Sequence, residues 1–188
     1  MYESYSGLIF DMDGTILDTE PTHRQAWREV LGRYGCGFDE NAMIALNGAP
    51  VWHIARHIVE QNRLDIDPAI IAREKTALIK TMLFDSVRPL PTLDVVKHWY
   101  KHRPLSVGTG SETALAESLL THLNLRQYFE AVVGADQVLH PKPAPDTFLR
   151  CAQLMCVAPA KCVVFEDGDL GLQAAHKAGM DAIDVRLN

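Results

Sequence analysis

From Leu105 onward the chain alternates short apolar runs with helical stretches, and this alternation constrains the fold more than any other feature. Leu105-Ser106-Val107-Gly108, Ala131-Val132-Val133, Cys162-Val163-Val164-Phe165 and Asp181-Ala182-Ile183-Asp184-Val185 read as strands. Between and around them, helices are predicted over 94–100, 111–123, 146–155 and 170–178. Ser111 and Asp146 are the predicted N-caps, and Gly179 is a stop signal. Gly7-Leu8-Ile9-Phe10-Asp11 adds one more buried strand near the start. Strands that alternate with helices pair in parallel, because each crossover helix carries the chain back over one face of the sheet. The expected class is therefore α/β, with a doubly wound, Rossmann-like parallel-sheet core.

The interval between the first strand and the second half has a different character. Ala26, Trp27, Val30 and Leu31 share one helix face, as do Ile54, Ile58 and Val59, and a further apolar series runs from Ile70 to Leu83. No strand-like alternation interrupts them. Two close prolines, Pro89 and Pro91, end the region. The expected organisation is a catalytic core of residues 1–16 and 88–188, with residues 17–87 inserted as a small all-helical cap domain. At 188 residues, 47% hydrophobic and 22% charged, the chain can bury a substantial core.

In doubly wound sheets the ligand site lies at the carboxyl ends of the strands. Four segments fall there: Asp11-Met12-Asp13-Gly14-Thr15, Gly108-Thr109-Gly110-Ser111, His140-Pro141-Lys142-Pro143 and Glu166-Asp167. Together they hold four carboxylates, a lysine and hydroxyls. A phosphate monoester is a dianion that repels an attacking carboxylate unless a cation intervenes. Oxygen ligands such as Asp11, Asp167 and Glu166 suit Mg2+, and Lys142 adds a positive charge for phosphoryl oxygens. Thr109 and the main chain at Gly110, expected at a helix start, suit an anion. Asp11 can act as nucleophile, and Asp13, two residues later, can move the leaving-group proton. Singly, each segment is as readily a cap, a turn or a solvated loop; the weight lies in all four at successive strand ends.

These residues also carry a family resemblance. Asp11-Met12-Asp13-Gly14-Thr15, with Leu17-Asp18-Thr19, resembles the first motif of the haloacid dehalogenase-like superfamily. Thr109 resembles its second, the segment 140–146 its third, and Phe165-Glu166-Asp167 with Gly171 and Ala178-Gly179-Met180 its fourth. The inserted helical segment is similar to the cap of the β-phosphoglucomutase-like branch. The resemblance implies that Asp11 is a phosphorylated nucleophile and that Asp13 is the general acid/base, lending its main-chain carbonyl to magnesium. It implies that Thr109 and Lys142 bind phosphate and that Glu166 and Asp167 serve the metal. Asp13, which the superfamily's dehalogenases lack, points to phosphoryl transfer. Gly168 departs from the serine found in many relatives.

In the expected cap, His23 and Trp27 match the His-x-x-Ala-Trp pattern of the branch, with His23 on the substrate side, and Lys75 falls near a lysine that contacts substrate in relatives, a solvated helix lysine being the alternative. Val51 stands where the mutases place an arginine, and Glu112 stands near a mutase lysine. The implied activity is a magnesium-dependent hydrolysis of small sugar or sugar-acid monophosphates, such as fructose 1-phosphate, through an aspartyl-phosphate. A sugar-phosphate mutase is the alternative. The net charge of −6 gives no sequence-wide footprint for nucleic acid. No apolar run is long enough for a membrane span, and the start lacks a basic signal region. The expectation is a cytoplasmic monomer whose partner is its substrate. Cys36, Cys151, Cys156 and Cys162 show no metal or redox spacing and are expected to be buried free thiols.

Overall fold

The computed structural model describes residues 2–187. Five parallel strands form the central sheet: β1 (Gly7–Phe10), β4 (Leu105–Gly108), β5 (Ala131–Val133), β6 (Cys162–Glu166) and β7 (Asp181–Asp184). They are ordered β5-β4-β1-β6-β7. The chain leaves central β1, builds one side of the sheet through β4 and β5, then crosses to build the other side. This is a doubly wound sheet.

Every residue of β1, β4 and β6 is buried, so these strands are continuous apolar runs. The period of two still sorts them by face. Leu8 and Phe10 join a core with Leu93, Val96, Leu115 and Leu119, from α5 (Leu93–Trp99) and α6 (Thr113–His122). Ile9 faces the opposite way, onto Phe148, Cys151 and Ala174 of α7 (Asp146–Leu154) and α8 (Asp169–Lys177). Phe10 and Phe165 stack across the β1–β6 pair at 4.7 Å between ring centroids.

Four helices fill the interval after β1: α1 (Glu20–Arg33), α2 (Glu40–Ile44), α3 (Val51–Asn62) and α4 (Pro68–Ser86). Trp27, Val30, Leu31, Ala55, Ile58 and Ile71 form a cluster of their own, while Ala26, Ile79 and Leu83 belong to the core cluster below. A two-stranded antiparallel ribbon, β2 (Leu17–Asp18) against β3 (Arg88–Pro89), lies where the chain enters and leaves this helical region.

Two helix starts differ from the sequence expectation. Ser111 does not cap α6; Glu112 occupies that position. Asp146 is the first residue of α7, after Pro145, and its carboxylate accepts the His140 N–H at 3.2 Å. The cysteines also differ: Cys151 and Cys162 are buried, but Cys36 is half-buried and Cys156 exposed. Burial pushes the Cys151 thiol up to about 12 and Cys162 up to about 11, so neither is a reactive thiolate. Among the described residues, no helix is long and apolar enough to cross a membrane.

Candidate active site

Strand register assembles the site. Phe10 pairs with Val107 on one side and Phe165 on the other, so the next residue, Asp11, emerges beside Gly108 and Glu166. The Asp11 N–H donates to the Phe165 carbonyl at 2.9 Å, which fixes the main chain one step beyond the strand. Asp11 is 3% exposed and Glu166 1%. Lys142, also 1% exposed, reaches between them from the loop before α7: its Nζ donates to Asp11 Oδ1 at 2.6 Å and to Glu166 Oε1 at 2.7 Å. Burial alone would lower the lysine's pKa, but the paired carboxylates more than offset that and hold it charged. Burial pushes Asp11 well above the usual carboxylate range; Lys142 opposes, while Glu166, Asp167 and Asp13 add to the push.

Asp11, Glu166 and Asp167 each offer a carboxylate oxygen, and these oxygens lie within 4.8 Å of one another. Thr15 Oγ1 donates to Asp167 Oδ1 at 2.9 Å, and the Gly168 N–H donates to Glu166 Oε2 at 2.6 Å. Burial, then the charge of Glu166, moves Asp167 up to about 6. Two glycines make room for this acidic set. A Cβ at Gly14 (φ +82°) would overlap the Asp167 carboxylate, and one at Gly171 would overlap that of Glu166.

Asp13 is held separately. Thr19 Oγ1 donates to its Oδ1 at 2.7 Å, while Ser111 Oγ and Thr109 Oγ1 donate to its Oδ2 at 2.8 and 3.2 Å. His23 Nε2 stands 3.6 Å from Oδ1, beyond hydrogen-bonding distance. Burial would raise the Asp13 pKa, but His23 and the hydroxyls outweigh it and hold the carboxyl below its usual range. Behind His23, Lys75 Nζ lies 2.7 Å from Nδ1 and 5.5 Å from the Trp27 ring centroid. An ammonium donating to Nδ1 leaves the imidazole proton on Nε2, facing Asp13. Burial lowers the pKa of both groups, with Lys75 down to about 8.

A cavity of about 170 Å³ opens over these groups. Of the sequence-predicted residues, Asp11, Asp13, His23, Lys75 and Gly110 line it, as do Trp27, Val51 and Glu112. Lys142, Glu166, Asp167 and Thr109 form the floor behind Asp11 and Asp13. Thr109 directly follows β4 and is not at a helix start, since α6 begins four residues later. Its hydroxyl is engaged by Asp13 and by the Ser111 N–H at 3.0 Å. Lys75 is buried rather than solvated. Sequence reasoning missed Glu20 and the role of Ser111. The available signal for Glu20 is its spacing: Glu20, His23, Arg24 and Trp27 fall on one side of α1, and all line the cavity.

The loop between α2 and α3 approaches the floor through main chain. A Cβ at Gly110 would overlap the Gly48 carbonyl, and one at Gly168 would meet the Asn47 carbonyl oxygen at 3.1 Å.

Residues 8–185 match the family of haloacid dehalogenase-like hydrolases. The chain is 68% identical over 187 residues to the fructose-1-phosphate phosphatase YqaB of Escherichia coli (strain K12), with 100% of each chain covered. It is 32% identical to a phosphorylated carbohydrates phosphatase of Thermotoga maritima, covering 94% of this chain and 82% of the relative. The fold superposes on the β-phosphoglucomutase of Clostridium difficile with a TM-score of 0.84, covering 95% and 83% of the two chains at 24% identity. Fold, floor and sequence together place the chain in the haloacid dehalogenase-like hydrolase family.

Proposed function

We propose that the protein is a magnesium-dependent phosphatase of small sugar monophosphates, fructose 1-phosphate first among them, working through a phosphorylated Asp11. One observation carries this reading: Asp11 and Asp13 face a single cavity, while Lys142 is clamped behind Asp11 by two carboxylates. The choice of sugar is supported by the 68% identical relative.

In this reading a carboxylate oxygen of Asp11 attacks phosphorus and the bond to the sugar oxygen breaks. Asp13 gives that oxygen a proton, leaving Asp13 ionised, the state favoured by Thr19, Ser111 and His23. A water then attacks the phosphorylated Asp11, gives its proton to Asp13 and releases phosphate. Lys142, Thr109 and the main chain at Gly110 hold phosphoryl oxygens. Asp11, Glu166 and Asp167, with the main-chain carbonyl of Asp13, would hold magnesium; the cluster contains hard oxygen donors and no thiolate or imidazole, which fits that ion. When bound, the metal supplies neutralising charge for the phosphate. Residues 17–87 act as the cap that sets substrate choice over a core of residues 1–16 and 88–188.

A mutase must hold a second phosphate at the far wall. There the chain offers Val51 and Glu112, while Arg24 is shared between Glu20 and Glu40 and Lys75 is committed to His23. The test is to supply β-glucose 1-phosphate with a trace of its bisphosphate and magnesium, then fructose 1-phosphate and 6-phosphogluconate in turn. Phosphate release should exceed glucose 6-phosphate formation, with fructose 1-phosphate the best substrate. Faster glucose 6-phosphate formation would make this a mutase.

A further inference from the structure

Glu20 is a carboxylate without a part in the chemistry above. It opens α1 and lines the cavity, and its side chain is only 21% exposed. Its cationic partner, Arg24 Nη1, lies 3.4 Å away, while Arg24 Nε lies 3.6 Å from Glu40. Burial, then the charges of Asp13 and Asp167, push it up to about 7 against the pull of Arg24. A first-turn acid also favours the helix dipole, but it does so equally well in full solvent. Here the carboxylate is turned into a cavity already crowded with acids, where it weakens its own ionisation and gains little from Arg24.

Resting on the phosphatase reading, we propose that Glu20 is the specificity residue for the leaving group: its oxygens accept hydrogen bonds from hydroxyls of the substrate's sugar. A phosphate cannot be its ligand, since an acid beside Asp13 repels a second anion. A hydroxylated, uncharged leaving group is the chemistry that satisfies it. Asn47, which also lines the cavity and whose amide favours the ionised Glu20, is suited to the same hydroxyls. Glu20 thus separates two tasks on one helix face, with His23 turned to the acid/base and Glu20, one turn earlier, turned to the sugar.

The experiment compares kcat/KM for fructose 1-phosphate and for n-butyl phosphate, which has no hydroxyls, in the wild type, Glu20→Ala and Glu20→Gln, with magnesium present. Loss of hydrogen bonds to a charged acceptor should lower fructose 1-phosphate hydrolysis by about 10- to 100-fold in Glu20→Ala. Butyl phosphate hydrolysis should change less than about 3-fold. Glu20→Gln, which keeps one acceptor oxygen and the side-chain volume, should fall between and guards against misfolding of the alanine variant. Equal losses on both esters would overturn the proposal and assign Glu20 to the reacting centre or the fold. No loss on either would also overturn it. A wild type that hydrolyses neither ester would instead sink the phosphatase reading itself, and Glu20's role with it.

Discussion

Lys75, on α4, sits where a charge is unwelcome, only 5% exposed. Its fall from 10.5 to about 8 is caused first by burial, against the pull of Asp13, Glu20 and Glu112. That difference corresponds to about 3 kcal/mol by which the charged form disfavours folding. Because the folded pKa is the lower one, the unfolded chain binds more protons between pH 8 and 10.5, and stability rises with pH across that window. Denaturant titrations at pH 7.5 and 10.5 should show the wild type gaining up to about 3 kcal/mol relative to Lys75→Met. A constant difference between the two proteins would mean that the lysine is already neutral or solvated. Its ammonium, donating to Nδ1, fixes the His23 tautomer that carries its proton on Nε2 toward Asp13. Asp11 has a simpler test. Asp11→Asn should fold normally and lose phosphate release by at least about 10⁴-fold, as removal of a nucleophile does; a folded variant with near-normal turnover would move the nucleophile elsewhere.

Elements carry these residues, and their legibility in the sequence varies. Four of the five sheet strands can be read as short, mostly apolar runs between turn signals, while β7, with aspartates at both ends, is legible only from its place after α8. The ribbon of β2 and β3 could not be read, since two residues per strand leave no period to detect. Ser111 has the better intrinsic capping side chain, yet α6 starts after Glu112 because the Ser111 hydroxyl is drawn to Asp13, 98 residues away in sequence. The same cause hides Ser111's role: its partner is defined only once β1 and β4 lie side by side. Asp11, Lys142 and Asp167 were legible because each follows a strand or sits in a proline-marked loop, positions at which the sheet rule directs attention. The loop after β4 also meets the cap at Gly110. Gly110→Ala should keep the core strands and the thermal midpoint nearly unchanged but raise KM and lower kcat together, about 10-fold or more, because its Cβ would overlap the Gly48 carbonyl and hold the cap loop off the floor. Unaltered kinetics in that variant would show that the loop accommodates the methyl group.

At the scale of the whole molecule, a metal held by the proposed ligands would stabilise the fold. Three carboxylates and one lysine meet at the floor, and a divalent cation that binds only the folded chain adds stability by mass action. At magnesium about a hundredfold above its Kd the gain is about 2.7 kcal/mol, a rise in melting temperature of about 5–10 °C for a chain of this size. Chelator should reverse the rise, and Asp167→Asn should abolish it. An equal rise in that variant would place the metal elsewhere.

The contact of the Asn47 and Gly48 carbonyls with Gly110 and Gly168 has a consequence for how such a protein can change. Main chain lies close to main chain there, at positions that leave no room for a side chain on Gly110. Glu20, Val51 and Trp52, which face the cavity, can be exchanged without altering how the two halves meet. The chemistry and its enclosure are thereby inherited together, while the range of accepted esters is left free to drift.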